Sequence, residues 1–438
     1  MPYFVLSPRS PLMGFLPEGF NCIRKTYHNI TDIPEFNVSG QVITYASPDS
    51  TYAVTKRLLD SAKKEILIGI YDFDADYIKE LLLNALERKV QVTLMLDVNS
   101  TQEVQLLKDL SSFGCKTVSA PSCQNKLVRY FPNCHEKFVV IDDEWLMVQS
   151  GNYSKNSIPF NEEDGGDPKH FKKGNRDMGV AIQSKEMSAF FKKVLLSDIK
   201  LVEDGVSPES LLTEAIQQPL LVDAVPEQLP IKLFPSKTFS LDQPMRVVPI
   251  LSPDNYMDKI VALLKSAKKS IYIENQYIKS TQPDVSKLLD AIADARDKNA
   301  DLDVKIILGK LFSNSDVPKE KANLQNLEST YNLKLGTHIK YIDISRFVHC
   351  HNKLIIIDGE NTLISSQNWS DTAVSQNREA GLILYNKDIA GYYNAIFQTD
   401  WETGWDKIAV STGDSRITPE TLSKGNFTRV NIGDYEEV

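Results

Sequence analysis

Two short segments hold the side chains best suited to chemistry. "HEKFVVIDDEWLMVQSGN" begins at His135 and "HNKLIIIDGENTLISSQN" begins at His351. Each opens on His-x-Lys, runs on through apolar residues, and closes on Ser-x-Asn: Ser150 and Asn152 in the first, Ser366 and Asn368 in the second. Side chains alternate along a strand, so His351 and Lys353 share one face, roughly 7 Å apart at ~3.3 Å per residue. The turn dipeptide Asp358-Gly359 returns the chain and carries Ser366 and Asn368 back beside them. His135, Lys137, Asp142, Ser150 and Asn152 take the same places in the first copy. An imidazole, an ammonium and a carboxamide at one end of a hairpin suit a phosphate. Lysine supplies charge, while serine and asparagine direct donors at non-bridging oxygens. Histidine, titrating near neutrality, attacks phosphorus or carries a proton. Two such clusters face to face divide nucleophile and acid between two imidazoles, provided that their surroundings push the pKa values apart.

The elements that must position these groups are also written twice. "YASPDSTYAVTKRLLDSAKKEILIGIYDF" from Tyr45 resembles "ILSPDNYMDKIVALLKSAKKSIYIENQYI" from Ile250, an offset of 205 positions (61 to 266 at the serine of SAKK). "NRDMGVAI" from Asn175 matches "NREAGLIL" from Asn377. In each copy a helical pattern (51–63, 256–268) precedes a β-rich run, then a second helix (75–89, 285–297), a second β-rich run and the histidine-led hairpin. Helices alternating with buried strands predict an α/β protein of two similar α/β/α sandwich halves with mixed sheets, related by a pseudo-twofold axis. The expected boundaries are an N-terminal extension (1–40), a first half (41–206), a connecting segment (207–243), a second half (244–410) and a C-terminal tail (411–438). The first half carries about 14 extra residues between Asn152 and Asn175 (an interval of 23 against 9 in the second half). That insertion, 155–174, is a candidate lid or head-group selector, with Lys169, Lys172 and Lys173 offered to an anionic surface.

H-x-K-x4-D followed by Ser-x-Asn and then by Asn-Arg-Asp/Glu, present twice, resembles the phospholipase D superfamily, over most of residues 41–410. "IENQYI" at Ile273 is also similar to the segment that precedes the second motif in phospholipases of that family. The resemblance implies phosphodiester transfer without a metal or other cofactor, through a covalent phosphohistidine. It implies His135 and His351 as the catalytic pair, with Lys137, Lys353, Asn152 and Asn368 on phosphate and Ser150 and Ser366 supporting the pocket. Asp142 and Asp358 complete the two catalytic motifs, but they sit just before the turns on the opposite strand face and are expected to support the hairpin. Asp177 and Glu379 are candidates to fix the tautomer of a catalytic imidazole. Tyr71 and Gln276, at equivalent positions, are pocket candidates. The resemblance favours the first histidine, His135, as nucleophile. Gln149 stands where many members have glycine, and the expected consequence is a crowded first half-site.

The implied function is a phospholipase D-like phosphodiesterase that cleaves or transfers phospholipid head groups at a membrane surface. A nuclease or nucleic-acid end-processing enzyme of the same superfamily is the alternative, followed by a phospholipid synthase and by an inactive membrane-binding homologue. The net charge of −9 and pI near 5.4 argue against a protein that grips long nucleic acid. No apolar run reaches the roughly 18 residues of a membrane span, and no signal peptide is read at the start. The expectation is a cytoplasmic, peripherally membrane-associated monomer. Five cysteines at irregular spacing suit free thiols. Strand alternation turns Cys134 and Cys350 away from their neighbouring histidines, which disfavours the zinc site that "HCH" at His349 invites. The acidic cluster 162–167 lacks calcium-loop spacing.

Overall fold

A computed structural model of the chain describes residues 23–122, 128–166, 172–203 and 232–410. Cys22, Cys123, Asp167 and Lys169 lie outside the described residues, as do 1–22 of the extension, 204–206 at the end of the first half, 207–231 of the connecting segment and the tail 411–438.

Each half builds an eight-stranded mixed sheet. The first runs, edge to edge, Lys237–Ser240, Gln41–Ser47, Asp177–Gln183, Trp145–Gln149, Phe138–Ile141, Glu65–Ile70, Gln91–Leu96 and Lys116–Ser119. The second runs Ile339–Tyr341, Asp303–Leu308, Ser270–Asn275, Lys353–Ile357, Asn361–Ser365, Glu379–Tyr385, Met245–Ser252 and Phe36–Val38. In both, the catalytic hairpin lies in mid-sheet, antiparallel to the strand that follows the first helix of its half, Glu65–Ile70 or Ser270–Asn275. The outer strands join in parallel through helices, as βαβ connections require. Sheet edges are completed from outside the halves. Phe36–Val38 of the extension pairs with Met245–Val247, and Lys237–Ser240 of the connecting segment pairs with Gln41–Thr44.

Three apolar clusters fill the layers. Outer helices cover one face of each sheet, with Leu58, Leu59, Ile78, Leu82 and Leu110 in the first half and Ile260, Leu264, Leu288, Leu289 and Ile292 in the second. The inner faces share one central core. It combines strand residues of both sheets with Phe191, Leu195 and Ile199 of helix Lys185–Glu203 and Tyr393, Ile396 and Phe397 of helix Lys387–Thr403. Leu354 and Ile356 enter this central core while Ile355 and Ile357 enter the outer one. The run LIII is thus buried on both sides. Each fully buried aliphatic side chain contributes ~1.5–3 kcal/mol, which offsets the cost of burying His351 and Lys353 at its head.

Candidate active site

The two histidines meet where the halves join, and the junction is stitched by backbone. His135 N donates to Arg378 O (2.7 Å) and Arg378 N to Asn133 O (2.9 Å). In the other direction, His351 N donates to Arg176 O (3.0 Å) and Arg176 N to His349 O (2.8 Å). The buried guanidinium groups repeat the exchange. Arg176 forks onto Asp400 of the second half (2.7 and 3.1 Å) and reaches Asp49, while Arg378 forks onto Asp198 of the first half (2.7 and 2.9 Å) and reaches Asp254. Such bidentate buried pairs hold one geometry, and removing a partner costs about 3–5 kcal/mol.

One residue beyond each arginine stands a carboxylate, and it serves the opposite half. His135 Nδ1 lies 2.8 Å from Glu379 Oε2, and His351 Nδ1 lies 2.9 Å from Asp177 Oδ1. Each carboxylate also accepts from the serine of its own half: Ser366 Oγ donates to Glu379 (2.6 Å) and Ser150 Oγ to Asp177 (2.8 Å). A carboxylate on Nδ1 leaves Nε2 to face a substrate. Lys137 Nζ and Lys353 Nζ donate to the carbonyls of His135 (2.5 Å) and His351 (2.6 Å), fixing an ammonium beside each ring. Asn152 and Asn368 are buried, and their Oδ1 atoms have no hydrogen-bond partner among the described residues. Buried acceptors left unsatisfied in matching places call for a partner that the described residues do not supply. The cleft at His135 is lined by Tyr71, Asn133, Tyr277, Asn368, Ser370 and Asn377, among others.

The dyads differ electrostatically. Burial pushes the Glu379 carboxyl up to about 7, against the pull of Lys137, Ser366, Asn377 and Lys353. Burial also pushes Asp177 up, but His351, Lys353 and the Ser150 hydroxyl outweigh it and hold the carboxyl below its usual range. Burial and Lys353 lower the pKa of His351, with Asp177 opposing them.

The structure brings together His135, His351, Lys137, Lys353, Ser150, Ser366, Asn152, Asn368, Asp177, Glu379 and Tyr71, whose ring packs edge-on against His135 (centroids 4.5 Å apart). Gln276 is buried at a strand end, where its carbonyl accepts from Gly309 N (3.0 Å), and the neighbouring Tyr277 lines the His135 cleft instead. Asp142 and Asp358, which the two motifs group with the catalytic residues, do not join the cluster around the histidines. They sit seven residues from their histidines, roughly 20 Å along a strand. Asp142 accepts from Lys63 N, Lys64 N and Glu65 N (2.8, 2.7 and 2.9 Å), and Asp358 accepts from Lys268 N, Lys269 N and Ser270 N. The repeated SAKK and the motif aspartate thus form one joint, clamping a helix–strand turn to the hairpin. Gln149 does not crowd the site: Oε1 accepts from the Tyr45 hydroxyl (3.1 Å) and Nε2 donates to Gly151 O (2.8 Å). Cys134 and Cys350 are buried in the central core, and no metal-holding cluster exists among the described residues. In the insertion, Lys172 Nζ lies over Phe160 (5.1 Å) and Lys173 Nζ donates to Ile344 O (2.6 Å), so both lysines engage the protein itself. Arg176, Arg378, Asn133 and Tyr277 were not singled out from the sequence. The repeated Asn-Arg-Asp/Glu was the available signal for the arginines.

The family model described as "Cardiolipin synthase, PLD-like domain" matches residues 55–198 and 260–401, together more than half of the chain. The chain belongs to this phospholipase D-like family, whose members are phosphodiesterases and transferases. It is 25% identical to human 5'-3' exonuclease PLD4 over 224 residues, which is 48% of this chain and 40% of the length of that relative. Among solved structures, the phosphatidylserine synthase of Haemophilus influenzae superposes with a TM-score of 0.58 at 14% identity, covering 85% of this chain and 88% of that one. This likeness carries the two-half fold. No described helix is long and apolar enough to cross a membrane.

Proposed function

We propose that this chain cleaves or transfers phospholipid head groups through a covalent phosphohistidine. The observation that supports the chemistry is the reciprocal pair of dyads, each imidazole held at Nδ1 by a carboxylate of the other half. His135 Nε2 attacks phosphorus as the bond to the leaving oxygen breaks, and His351 gives its Nε2 proton to that oxygen. Glu379, with a carboxyl near 7, is matched to receive the Nδ1 proton of His135 as the ring becomes positive. Asp177 stays anionic and favours the imidazolium form of His351 against its desolvation. In the second step His351 takes a proton from water or an alcohol, whose oxygen attacks phosphorus as the P–N bond breaks. Lys137, Lys353, Asn152 and Asn368 hold the non-bridging oxygens throughout, and every step uses side chains of this protein.

The phospholipid assignment rests on the segment "IENQYI" and on the acidic charge balance. A nucleic-acid substrate is the second reading, favoured by the similarity to a human exonuclease. A chelator-treated panel of phosphatidylcholine, phosphatidylethanolamine, cardiolipin, single-stranded DNA and duplex DNA separates them. Head-group release from vesicles with no DNA cleavage is the expected result; DNA cleavage alone would replace the lipid reading with the nuclease one.

A further inference from the structure

The halves differ most, close to the chemistry, at the strand ends beside the histidines. Strands Gln91–Leu96 and Asp303–Leu308 occupy the same place in their sheets, with Leu96 opposite Ile70 and Leu308 opposite Asn275. Asp97, Val98 and Ser100 therefore correspond to Gly309, Lys310 and Phe312, and Asn133 corresponds to His349. In the first half Asp97 is consumed by structure, accepting from the Ser122 hydroxyl and from Cys134 N. In the second half the carboxylate is gone and a cation, an imidazole and an aromatic ring stand in its neighbourhood.

The substitutions are mutually dependent. A Cβ on Gly309 would lie 2.3 Å from His349 Cε1 and 2.8 Å from its Nε2, so the His349 ring fits only against glycine where the first half has aspartate. His349 is 2% exposed and Lys310 is 7% exposed. His349 Nδ1 accepts the backbone N–H of Lys310 (3.1 Å), which places the ring proton on Nε2. That Nε2 has no hydrogen-bond partner among the described residues. Burial, together with His351, Lys310 and Lys353, keeps the ring uncharged, so Nε2 is a standing donor. A buried donor left without an acceptor is costly and calls for an occupant. Phe312, 48% exposed, closes the feature, with its ring 4.9 Å from His349 and 5.8 Å from Lys310 Nζ.

We propose that Lys310 and the Nε2–H of His349 form a second anion subsite, on the His351 side of the cleft, for a phosphate carried by the leaving alcohol. The inference rests on the assignment of His351 as the proton donor to the leaving oxygen. The alcohol departs with the His351 proton on its oxygen and its own phosphate still attached. A phosphate beside a cation and a neutral N–H donor matches what the subsite offers. The first half, with Val98 and Asn133 at these positions, offers no cation there. The two sources of such a leaving group are a phospholipid whose head group bears a second phosphate and a nucleotide chain.

The test uses the full chain and two substrate pairs: glycerophosphoglycerol with and without a terminal phosphate, and a thymidine dinucleotide with and without a terminal phosphate. In the wild type, kcat/KM favours the phosphorylated member by about tenfold or more, the scale of one charge-assisted hydrogen bond. The pair that shows this preference names the source. Lys310→Val and His349→Asn, which import the residues of the first half, bring the ratio close to one; a ratio unchanged in both variants, or absent in the wild type, overturns the subsite. If the wild type turns over neither pair, binding decides the subsite separately from the proposed function, which the vesicle panel tests. Glycerol 3-phosphate binding by calorimetry then weakens about tenfold in Lys310→Val, a variant that leaves the His349 ring in place, whereas equal affinity refutes the proposal.

Discussion

The first half holds its imidazole on a glutamate borrowed from the second, and the second holds its own on an aspartate borrowed from the first. Lysine, serine and asparagine are the same in both, as the proposed grip on one phosphate from two sides requires. The carboxylates are not the same, and one is pushed up to about 7 while the other is held low. A similar contrast lies beneath the site. In the first half a buried glutamate, Glu136, packs against Gly69; in the second, Glu274 stands at the position of Gly69 and accepts from Asn352, the counterpart of Glu136. Glu136 feels Arg378 and Glu274 feels Arg176. The carboxylate has moved to a neighbouring strand but kept its place beside a buried arginine. A buried carboxyl at one point in space is retained between the halves, and burial pushes its pKa up in both; the residue that supplies it is free to change.

The largest expected effect tests whether the halves form one site. His135→Ala and His351→Ala each reduce turnover of bis-p-nitrophenyl phosphate by roughly 10⁴-fold or more, since groups that act as a unit fail together. Acid quench of the wild type traps phosphate on His135 alone. Substantial activity in either variant would break the shared site, and label on His351 would exchange the two roles.

A smaller effect separates the dyads. The Glu379 carboxyl is raised from 4.5 to about 7, so below neutrality it is protonated and cannot receive the Nδ1 proton of His135. kcat/KM therefore rises with pH up to about 7. Glu379→Gln lowers the rate by roughly 10²–10⁴-fold and flattens that limb, whereas Asp177→Asn lowers the rate and keeps it. Stability has the opposite slope. Between pH 4.5 and about 7 the folded protein keeps a proton that the unfolded chain has lost, so the Glu379 contribution declines as pH rises through that window. Urea midpoints across this range should fall more steeply in the wild type than in Glu379→Gln. Identical pH profiles for the two carboxylate variants would erase the distinction between the dyads.

Much of this was legible in the sequence where a residue acts through its own strand. His-x-Lys and Ser-x-Asn could be placed on one hairpin end because side-chain period and turn chemistry are local. The pairing of Glu379 with His135 could not, since it depends on how two distant segments cross at the junction of the halves. Edge strands were missed for the same reason. Phe36–Val38 and Lys237–Ser240 are short, and their partners lie in sheets that periodicity does not connect to them. Gln149 was misjudged because its amide is satisfied by Tyr45, a contact set by strand order. His349 was visible only as a doubtful metal ligand; its burial beside Lys310 required the fold.

The smallest effects concern the turns that close the two hairpins. Asp142 and Asp358 both adopt left-handed backbone (φ 55° and 57°), but the next residue is Asp143 (φ 54°) in the first half and Gly359 (φ 67°) in the second. Glycine takes this conformation without penalty, while aspartate is strained in it. Asp142→Ala and Asp358→Ala each remove the acceptor of three backbone N–H groups and place alanine at positive φ, at a cost of ~2 kcal/mol or more. Asn, which keeps an acceptor oxygen and tolerates positive φ, costs about half as much. In both series kcat stays within a few-fold, because the turn lies far along the strand from the histidines. A hundredfold loss of kcat without a shift in urea midpoint would return these aspartates to the chemistry. Asp143→Gly gives the first turn the residue of the second and gains about 0.5–1 kcal/mol from relieved backbone strain. Asp143 also pairs with Lys192 (2.9 Å), but it is 54% exposed and the pair is worth little. A midpoint that falls instead would show that this ion pair, and not backbone conformation, governs the first turn.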